Sequence, residues 1–338
     1  MRTSLETLLR DREVILADGA TGTNLFALGL TSGDSPELWN LTRPGDVAGL
    51  AASFVRAGSD LILTNSFGGN RHRLKLHDLD ARVGELNEAA ARLAREVADA
   101  APRPVLVAGS IGPTGELLEP VGTLGRAAAV EAFAEQAQGL ARGGADLLWI
   151  ETMSAAEELD AAIEGAARTG LPIVATMSFD TQGRTMMGLT PEAALGHAAA
   201  LPVAPRGFGA NCGIGPAQLL DSLLRMHAVA APGTVLVAKG NCGVPEYRDG
   251  AIHYSGSPAI MAAYARLARA AGARIIGGCC GTTPEHVQAM RRGIDADRPQ
   301  SVPSIAEVEA ALGPVAFTQP AEGDAPRRER RPRRRGGG

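Results

Sequence analysis

The sequence predicts a single (β/α)8 barrel, the TIM-barrel class of α/β fold, followed by a short basic tail. Eight short apolar runs, each ending in polar or glycine residues, alternate with helical patterns along the chain. The runs are mostly continuous rather than alternating, which is typical of parallel strands buried on both faces. A doubly wound sheet of eight parallel strands would be unusually wide, and no change in composition interrupts the series before residue 295. A closed barrel therefore explains the pattern better than two domains.

The strands are predicted from apolar runs that end at turn-forming residues. A pair of dinucleotide-binding domains is the alternative, but the first run leads into Asp-Gly-Ala-Thr-Gly-Thr-Asn at residues 18–24, and not into a GxGxxG motif. In chain order, the predicted strands are Val14–Ala20, Asp60–Phe67, Pro104–Gly112, Asp146–Met153, Pro172–Phe179, Gly207–Gly213, Thr234–Gly243 and Ala273–Gly281.

The helices between the strands are predicted from apolar residues at helical spacing and from residues that begin and end helices. A helix that begins at Pro44 is expected to end at Gly58. Ser257 and Pro258 place a capping hydroxyl and a first-turn proline at the start of a later helix, and Gly272 supplies the left-handed residue that ends it. Further helices are predicted over residues 86–100, 126–142, 155–168, 191–200, 216–229 and 284–292.

The composition is that of a globular protein. Hydrophobic residues make up 45% of the 338 residues and charged residues 21%, which is enough for a sizeable core. No run of 18 apolar residues occurs, and residues 1–13 lack the apolar centre of a signal peptide, so we expect a soluble, cytoplasmic protein without a membrane partner. Four cysteines, three of them at glycine-rich strand ends, suit reduced ligands rather than a secreted disulfide framework.

The formal net charge of -4 conceals a difference between the body and the tail. Residues 327–335 hold seven Arg and one Glu, a net charge of +6, so the remainder carries -10. We expect residues 1–315 to form the barrel and residues 316–338 to form a disordered tail, because the tail has little to bury. A solvated appendage is the simpler interpretation of the tail, and weak attraction to nucleic acid or acidic partners is the functional one.

Polar residues collect where the predicted strands end, and in a barrel of this class the reacting groups meet at that face. Glu151 is the most informative of them, because an unpaired carboxylate at the end of an apolar strand is costly. The series comprises Asp18 with Gly19 after the first strand, Ser110 on the third, Glu151 on the fourth, Asn211 and Cys212 on the sixth, Lys239 on the seventh, and Cys279 with Cys280 on the eighth.

Three of the cysteines are predicted to form a metal site. Strands six and eight are next-but-one neighbours around a barrel, so Cys212 can reach Cys279 and Cys280. Three sulfur ligands with a fourth position left open suit catalytic zinc. Adjacent residues of a strand point to opposite sides, so both can bind a metal only if the chain leaves strand geometry there, which Gly278 and Gly281 permit. Buried apolar cysteines, or a strained disulfide between the adjacent pair, are the alternatives.

An ordered set of motifs resembles the homocysteine S-methyltransferase family, which includes betaine-homocysteine methyltransferase, S-methylmethionine-dependent enzymes and the homocysteine module of cobalamin-dependent methionine synthase. The resemblance spans nearly the whole body of the chain and is highly specific in its order. The matching motifs occupy residues 18–23, 109–113, 151–152, 183–190, 211–213 and 277–284.

The resemblance implies methyl transfer to homocysteine, giving methionine. It implies that the three cysteines hold zinc and that Asp18 and Glu151 lie near the amino-acid head of homocysteine. Gly19, Ser110 and Asn211 are further candidates for substrate binding, although Ser110 and Asn211 could instead hold loop backbone.

The methyl donor implied by the resemblance is betaine or a related onium compound, whose permanent positive charge proteins commonly hold with aromatic faces. Betaine-using relatives place a Tyr just after the second strand, where this sequence has Phe67, so an aromatic cage would need Trp39, Phe67 or Tyr247. A methyl-corrinoid presented by a partner protein is the alternative donor, and the loop of residues 68–73 could leave space for it.

Two further residues suggest alternatives. Lys239 is one of only two lysines and ends a predicted strand, where the Schiff-base lysine of an aldolase would lie. Cys242 stands where relatives usually have alanine, and we expect a thiol that lines the pocket rather than a metal ligand. A non-enzymatic zinc- or thiol-sensing barrel whose Arg-rich tail binds nucleic acid is a third class of function.

Overall fold

Eight parallel strands form one sheet in the computed structural model, which confirms the predicted barrel. The structure describes residues 2–243, 245–248, 251–296 and 301–315, and for residues 245–248 and 251–253 it describes the backbone alone. The barrel strands are β1 (Ile15–Leu16), β2 (Leu61–Leu63), β3 (Leu106–Ile111), β4 (Leu147–Met153), β5 (Ile173–Met177), β6 (Gly207–Cys212), β7 (Leu236–Gly240) and β10 (Ala273–Gly278). Each lies inside a predicted run.

The barrel closes between β1 and β2. The hydrogen-bonded order is β1-β10-β7-β6-β5-β4-β3-β2, and every neighbouring pair is parallel. A parallel bridge between Ala17 and Leu61 joins the two ends of this order, and the Asp60 N–H donates to the Leu16 carbonyl at 2.7 Å. The strands that carry the cysteines, β6 and β10, are separated by β7 alone.

Helices lie between successive barrel strands, as the sequence predicts. Gly58 and Gly272 follow two of these helices with φ values of 111° and 90°, and the Ser257 hydroxyl accepts the Ile260 N–H at 3.3 Å. The helices are α1 (Leu5–Asp11), α2 (Gly22–Ala27), α3 (Trp39–Thr42), α4 (Pro44–Ala57), α5 (Arg71–Leu74), α6 (Val83–Asp99), α7 (Arg126–Arg142), α8 (Ala156–Ala167), α9 (Pro191–Ala200), α10 (Pro216–Val229), α11 (Pro258–Ala270), α12 (Pro284–Asp295) and α13 (Ile305–Leu312).

The barrel interior is filled by apolar side chains. Trp149, Val237 and Ile275 lie in this inner cluster, and Leu5 and Leu8 of α1 join it. A larger cluster lies between the outer faces of the strands and the surrounding helices. A cavity lies beyond this packing, at the C-terminal ends of the strands, near Asp18 and the three cysteines.

An antiparallel hairpin follows β7 and was not predicted from the sequence. Its strands are β8 (Pro245–Arg248) and β9 (Ala251–Tyr254). Asp249-Gly250 between them is a sequence signal for a hairpin, but four-residue strands are too short to show a clear period. The tail at residues 316–338 lies outside the described residues, so its expected disorder stays a prediction. Among the described helices, none is both long and apolar enough to cross a membrane.

Candidate active site

A cavity of about 370 Å³ opens at the C-terminal ends of the barrel strands. It brings together residues from loops and strands that are far apart in the sequence. The side chains of Glu151, Ser110, Lys239 and the three predicted cysteine ligands all line it. The face of the barrel that was expected to carry the chemistry therefore holds a space large enough for two small reactants.

The sulfur atoms of Cys212, Cys279 and Cys280 all lie within 4.8 Å of one another, and the Cys212 and Cys280 sulfurs are 4.0 Å apart. Tetrahedral zinc with bonds of about 2.3 Å to sulfur needs sulfur atoms about 3.8 Å apart. All four cysteines are free thiols, so the alternative of a disulfide between the adjacent pair is not what the structure shows. The three sulfurs therefore suit zinc and leave one side open to the cavity.

The chain leaves strand geometry at the point that the sequence predicted. Strand β10 ends at Gly278, and a tight turn follows, in which the Thr282 N–H donates to the Cys279 carbonyl at 3.1 Å. Gly281 has a φ of 77° and Cys212 a φ of 61°, both in the left-handed region. This turn lets two adjacent cysteines face the same side.

Hydrogen bonds to the end of β7 and the loop after it hold the adjacent cysteines in place. The Cys279 N–H donates to the Gly240 carbonyl at 2.7 Å, and the Cys280 N–H donates to Asn241 Oδ1 at 3.0 Å. The Cys280 carbonyl accepts the Cys242 N–H at 2.9 Å. The loop after β7 thus braces the cysteine turn along its length.

The three thiols titrate as a group. Hydrogen bonds from Cys212 and Cys279 lower the pKa of Cys280 below its usual value, so this sulfur loses its proton first. Hydrogen bonds to Cys279 and Cys280 raise the pKa of Cys212, because a second thiolate would form beside the first. A metal ion must displace these protons, so metal binding here is expected to release protons and to depend on pH.

Cys242 points away from the three sulfurs. Its side chain is buried, and its sulfur donates to the Gly256 carbonyl at 3.0 Å. It does not line the cavity, so the expectation of a pocket-lining thiol is wrong.

Two buried carboxyl groups and one buried ammonium group lie close together here: Glu151 and Lys239 line the cavity, whereas Asp18, which pairs with Lys239, does not line it. Asp18 Oδ2 accepts the Leu63 N–H at 2.7 Å, and Asp18 Oδ1 lies 3.6 Å from Lys239 Nζ. Burial raises the pKa of Asp18 to about 6, although the charge of Lys239 opposes this shift. Burial also raises the pKa of Glu151, whose Oε1 accepts the Ser110 hydroxyl at 2.5 Å.

Lys239 keeps its charge despite its burial. Burial alone would lower the pKa of its ammonium group, but the negative charges of Asp18 and Glu151 raise that pKa above its usual value on balance. The sequence suggested this residue only as an aldolase nucleophile. It was missed as a residue of the cavity, and the signal that could have placed it there was its position at the end of β7, on the same face of the barrel as the strand ends that carry Asp18 and Glu151.

The other predicted site residues divide into two groups. Gly19 and Ser110 line the cavity. Asn211 holds Thr152: its Oδ1 accepts the Thr152 N–H at 2.8 Å, and its Nδ2 donates to Thr152 Oγ1 at 2.7 Å. Thr152 has a φ of 64°, so Asn211 maintains a left-handed residue next to Glu151.

Two aromatic residues near the site were missed by sequence reasoning. The Tyr254 ring packs against Gly281, next to Cys280, and burial and the nearby thiolates raise the pKa of its phenol. Phe26 lines the cavity together with the expected Phe67. Neither Tyr254 nor Phe26 belongs to a motif, so only the folded chain brings them to the site.

Comparisons with known proteins agree with this geometry. A sequence model described as homocysteine S-methyltransferase matches residues 15–294. Methionine synthase of Mycobacterium tuberculosis is 32% identical over 92% of this chain and 27% of its own length, and methionine synthase of Mycobacterium leprae is 32% identical over 88% and 26%. The chain thus spans about a quarter of the length of these relatives.

The structure is similar to that of the homocysteine methyltransferase MmuM from Escherichia coli. For the metallated form of that protein, the TM-score is 0.71 at 25% identity, and the match covers 85% of this chain and 99% of that one. For the oxidised form, the TM-score is 0.70 at 28% identity, with 85% and 98% covered.

Proposed function

The chain belongs to the homocysteine S-methyltransferase family, and from this premise we propose that it uses zinc to methylate homocysteine to methionine, with betaine or a related onium compound as the methyl donor. One observation carries the proposal: the sulfurs of Cys212, Cys279 and Cys280 lie within 4.8 Å of one another and face a cavity with room for two small reactants. In the homocysteine methyltransferase MmuM, a similar fold is known in a metallated form.

The three cysteines would hold the zinc ion. When bound, zinc supplies a positive charge that lowers the pKa of the substrate thiol, so no strong protein base is needed near neutral pH. The donor set fits this role, because three sulfur atoms within 4.8 Å of one another line the cavity.

Asp18 and Glu151 would bind the ammonium group of homocysteine. Both carboxylates are buried, and an ionised buried carboxylate is costly unless a cation compensates it. Lys239 compensates part of this charge, and a substrate ammonium would supply the rest. The raised pKa of each carboxyl group is therefore expected to fall when the substrate binds.

The transfer itself needs positioning more than acid or base chemistry. The homocysteine thiolate attacks the methyl carbon, an S–C bond forms, and the electron pair of the breaking N–C bond stays on the donor nitrogen, which leaves as a neutral tertiary amine. Holding the thiolate and the methyl carbon in line converts this reaction to an effectively unimolecular one. The rigid strand ends around the cavity can provide that alignment.

An onium donor would lie near Phe26 and Phe67, which are aromatic and line the cavity. Trp39, another expected cage residue, is buried and stacks against the Arg43 guanidinium, whose carbon lies 3.9 Å from the ring centre. It is therefore occupied by a cation of the protein itself. The side chain of Tyr247 lies outside the described residues.

A methyl-corrinoid partner protein is the second candidate donor. It is favoured by the exposure of Phe26 and Phe67, which are 52% and 39% exposed at the cavity mouth, because an apolar rim around an open cavity could receive a large partner. A Schiff-base aldolase is not favoured, because the raised pKa keeps Lys239 protonated and an ammonium group is not a nucleophile.

The test offers homocysteine and zinc-loaded protein three donors separately: betaine, S-methylmethionine and a methylated corrinoid protein. Methionine formation with an onium compound supports the proposal, and formation with the corrinoid protein alone supports the second candidate. No methionine with any donor contradicts both. As a control, Phe67→Leu should raise the KM for an onium donor by about tenfold, because it removes the aromatic face but keeps an apolar side chain.

A further inference from the structure

Lys239 is a buried cation in the lining of the cavity. It lies on β7, opposite Gly277 of β10 and Asn211 of β6 in the strand register, and it is 3% exposed. Its side chain nevertheless lines the cavity. A ligand that reaches this part of the cavity lining would therefore contact Lys239.

The contacts of Lys239 leave its hydrogen-bonding capacity incompletely used. Its Nζ donates to the Gly19 carbonyl at 3.4 Å and lies 3.6 Å from Asp18 Oδ1. Both distances are long for a charge-assisted hydrogen bond, which is usually about 2.7–2.9 Å. An ammonium group has three N–H donors, and among the described residues these are its two polar contacts. Asp18 Oδ1 is itself buried without a hydrogen-bond donor there.

The arrangement of charges matches both ends of an α-amino acid. Asp18 and Glu151 are suited to an ammonium group, and Lys239, which lies 3.6 Å from Asp18 and lines the cavity with Glu151, is suited to a carboxylate. We propose that Lys239 binds the α-carboxylate of homocysteine, while the nearby carboxyl groups of Asp18 and Glu151 attract its ammonium group. This inference rests on the proposed acceptor, and it assigns Lys239 a role in substrate specificity.

The sharpest test compares homocysteine with two analogues: 3-aminopropane-1-thiol, which lacks the carboxylate, and 4-mercaptobutanoate, which lacks the amine. In the wild type, removal of the carboxylate should lower kcat/KM by about 10- to 100-fold, the usual contribution of a charged hydrogen bond. Lys239→Met should lower kcat/KM for homocysteine and 4-mercaptobutanoate by a similar factor. It should leave kcat/KM for 3-aminopropane-1-thiol within about threefold of the wild type.

A merely structural role for Lys239 predicts a different result. If the ammonium only compensates Asp18 and Glu151, Lys239→Met should weaken all three thiols equally, and that outcome overturns the inference. Lys75→Met is the matched control, because Lys75 is exposed and does not line the cavity. Zinc content and the unfolding temperature of each variant separate loss of binding from loss of folding.

Two further measurements keep the test decisive. Lys239→Gln retains an N–H donor without the charge, and it should recover part of the affinity for homocysteine that Lys239→Met loses. If neither variant folds, the wild type still decides, since equal kcat/KM values with and without the carboxylate overturn the inference. Failure of the proposed function would look different, because the wild type would then form no methionine from homocysteine.

Discussion

The ring of Tyr254 lies against Gly281 so closely that no Cβ fits on this glycine. Gly281 also has a φ of 77°, which side chains rarely adopt. The last glycine of the cysteine motif therefore serves two purposes: it turns the chain so that both cysteines face the cavity, and it makes room for a tyrosine from the hairpin. The hairpin and the cysteine turn form one packed unit.

We predict that Gly281→Ala weakens zinc binding. The added methyl group displaces the Tyr254 ring, and the left-handed backbone adds a strain of about 1–2 kcal/mol. Gly233→Ala is the matched control, since Gly233 has a φ of 84° but no atom within 4 Å of the new Cβ. Both variants should lose similar free energy of unfolding from strain, but Gly281→Ala alone should lose zinc in a chelator competition. Equal zinc affinities would contradict this prediction.

Tyr254→Phe should lower the zinc affinity by about tenfold, in the range usual for the loss of a group that supports a metal ligand. After Cys212 and Cys279, the Tyr254 phenol is a further group that lowers the pKa of Cys280, so its removal takes away a group that stabilises this thiolate. The ring itself remains, and the packing against Gly281 should be preserved. The measurement is a competition titration with a chromogenic chelator.

Tyr264→Phe is a useful comparison for this variant. The Tyr264 hydroxyl accepts the Gly240 N–H at 3.1 Å and is fully buried, so its loss leaves a buried donor unpaired. We expect a loss of about 1–3 kcal/mol in the free energy of unfolding, larger than for Tyr254→Phe. A zinc affinity that is unchanged in Tyr254→Phe would show that the phenol does not support the metal site.

Much of this organisation could be predicted from the sequence. The apolar runs predicted the eight strands, because strands buried on both faces are apolar along most of their length and become polar only toward the end that carries the site. The glycines around Cys279 and Cys280 indicated that the chain turns there, since an extended strand would place the two sulfurs on opposite faces. The placement of Cys212 near these two cysteines was predicted from the order of strands in a barrel.

The contacts of the site were less predictable. Tyr254 lies 26 residues before Cys280, on a hairpin whose short strands show no periodicity. The role of Lys239 depends on a distance of 3.6 Å to Asp18, a residue 221 positions away. Sequence reasoning places residues at strand ends, but it does not determine which side chains point to one another across the barrel.

Cys280→Ala should abolish tight zinc binding and reduce methionine formation by at least about 1000-fold, because two remaining sulfur ligands cannot complete the site. Cys242→Ala is the matched control: its sulfur contacts the Gly256 carbonyl and not the other three sulfurs. This control should retain one zinc per chain, measured by plasma emission after dialysis. Zinc loss from Cys242→Ala, or full activity in Cys280→Ala, would show that the ligand assignment is wrong.

The pH dependence of kcat/KM for homocysteine should show a fall below pH about 6, where Asp18 becomes protonated and can no longer bind an ammonium group. The pKa of Asp18 is higher in the folded chain than in the unfolded one. This carboxyl group therefore adds stability as the pH falls from about 6 to about 4, so unfolding through Asp18 does not explain the lost activity.

Asp18→Asn separates this titration from loss of zinc at acid pH. The variant should have a lower kcat/KM at pH 8, by about 10- to 100-fold, and should lack the step near pH 6. If zinc loss caused the step, the variant would show the same step as the wild type. Zinc content measured at each pH gives an independent check.

The last prediction concerns stability at the end of the barrel opposite the cavity. Asp60 is buried before β2, and its carboxylate contacts the guanidinium groups of Arg12, Arg103 and Arg291 at 2.9, 3.4 and 3.2 Å. It also accepts the Leu16 N–H at 3.0 Å. Asp60→Asn should lower the free energy of unfolding by about 1–3 kcal/mol, because it removes the charge of a buried carboxylate that pairs with three partly exposed arginines.

Asp295→Asn is the matched control for this change, because Asp295 pairs with the same Arg291 but is 63% exposed. An exposed pair at this spacing contributes only about 0.3–0.5 kcal/mol. Urea denaturation should therefore separate the two variants by about 1–2 kcal/mol. Zinc affinity and the KM for homocysteine should stay the same in both, since Asp60 and the three cysteines lie at opposite ends of the strands. Equal stabilities would mean that solvent compensates the three arginines, and altered zinc affinity would mean that the two ends of the barrel are energetically coupled.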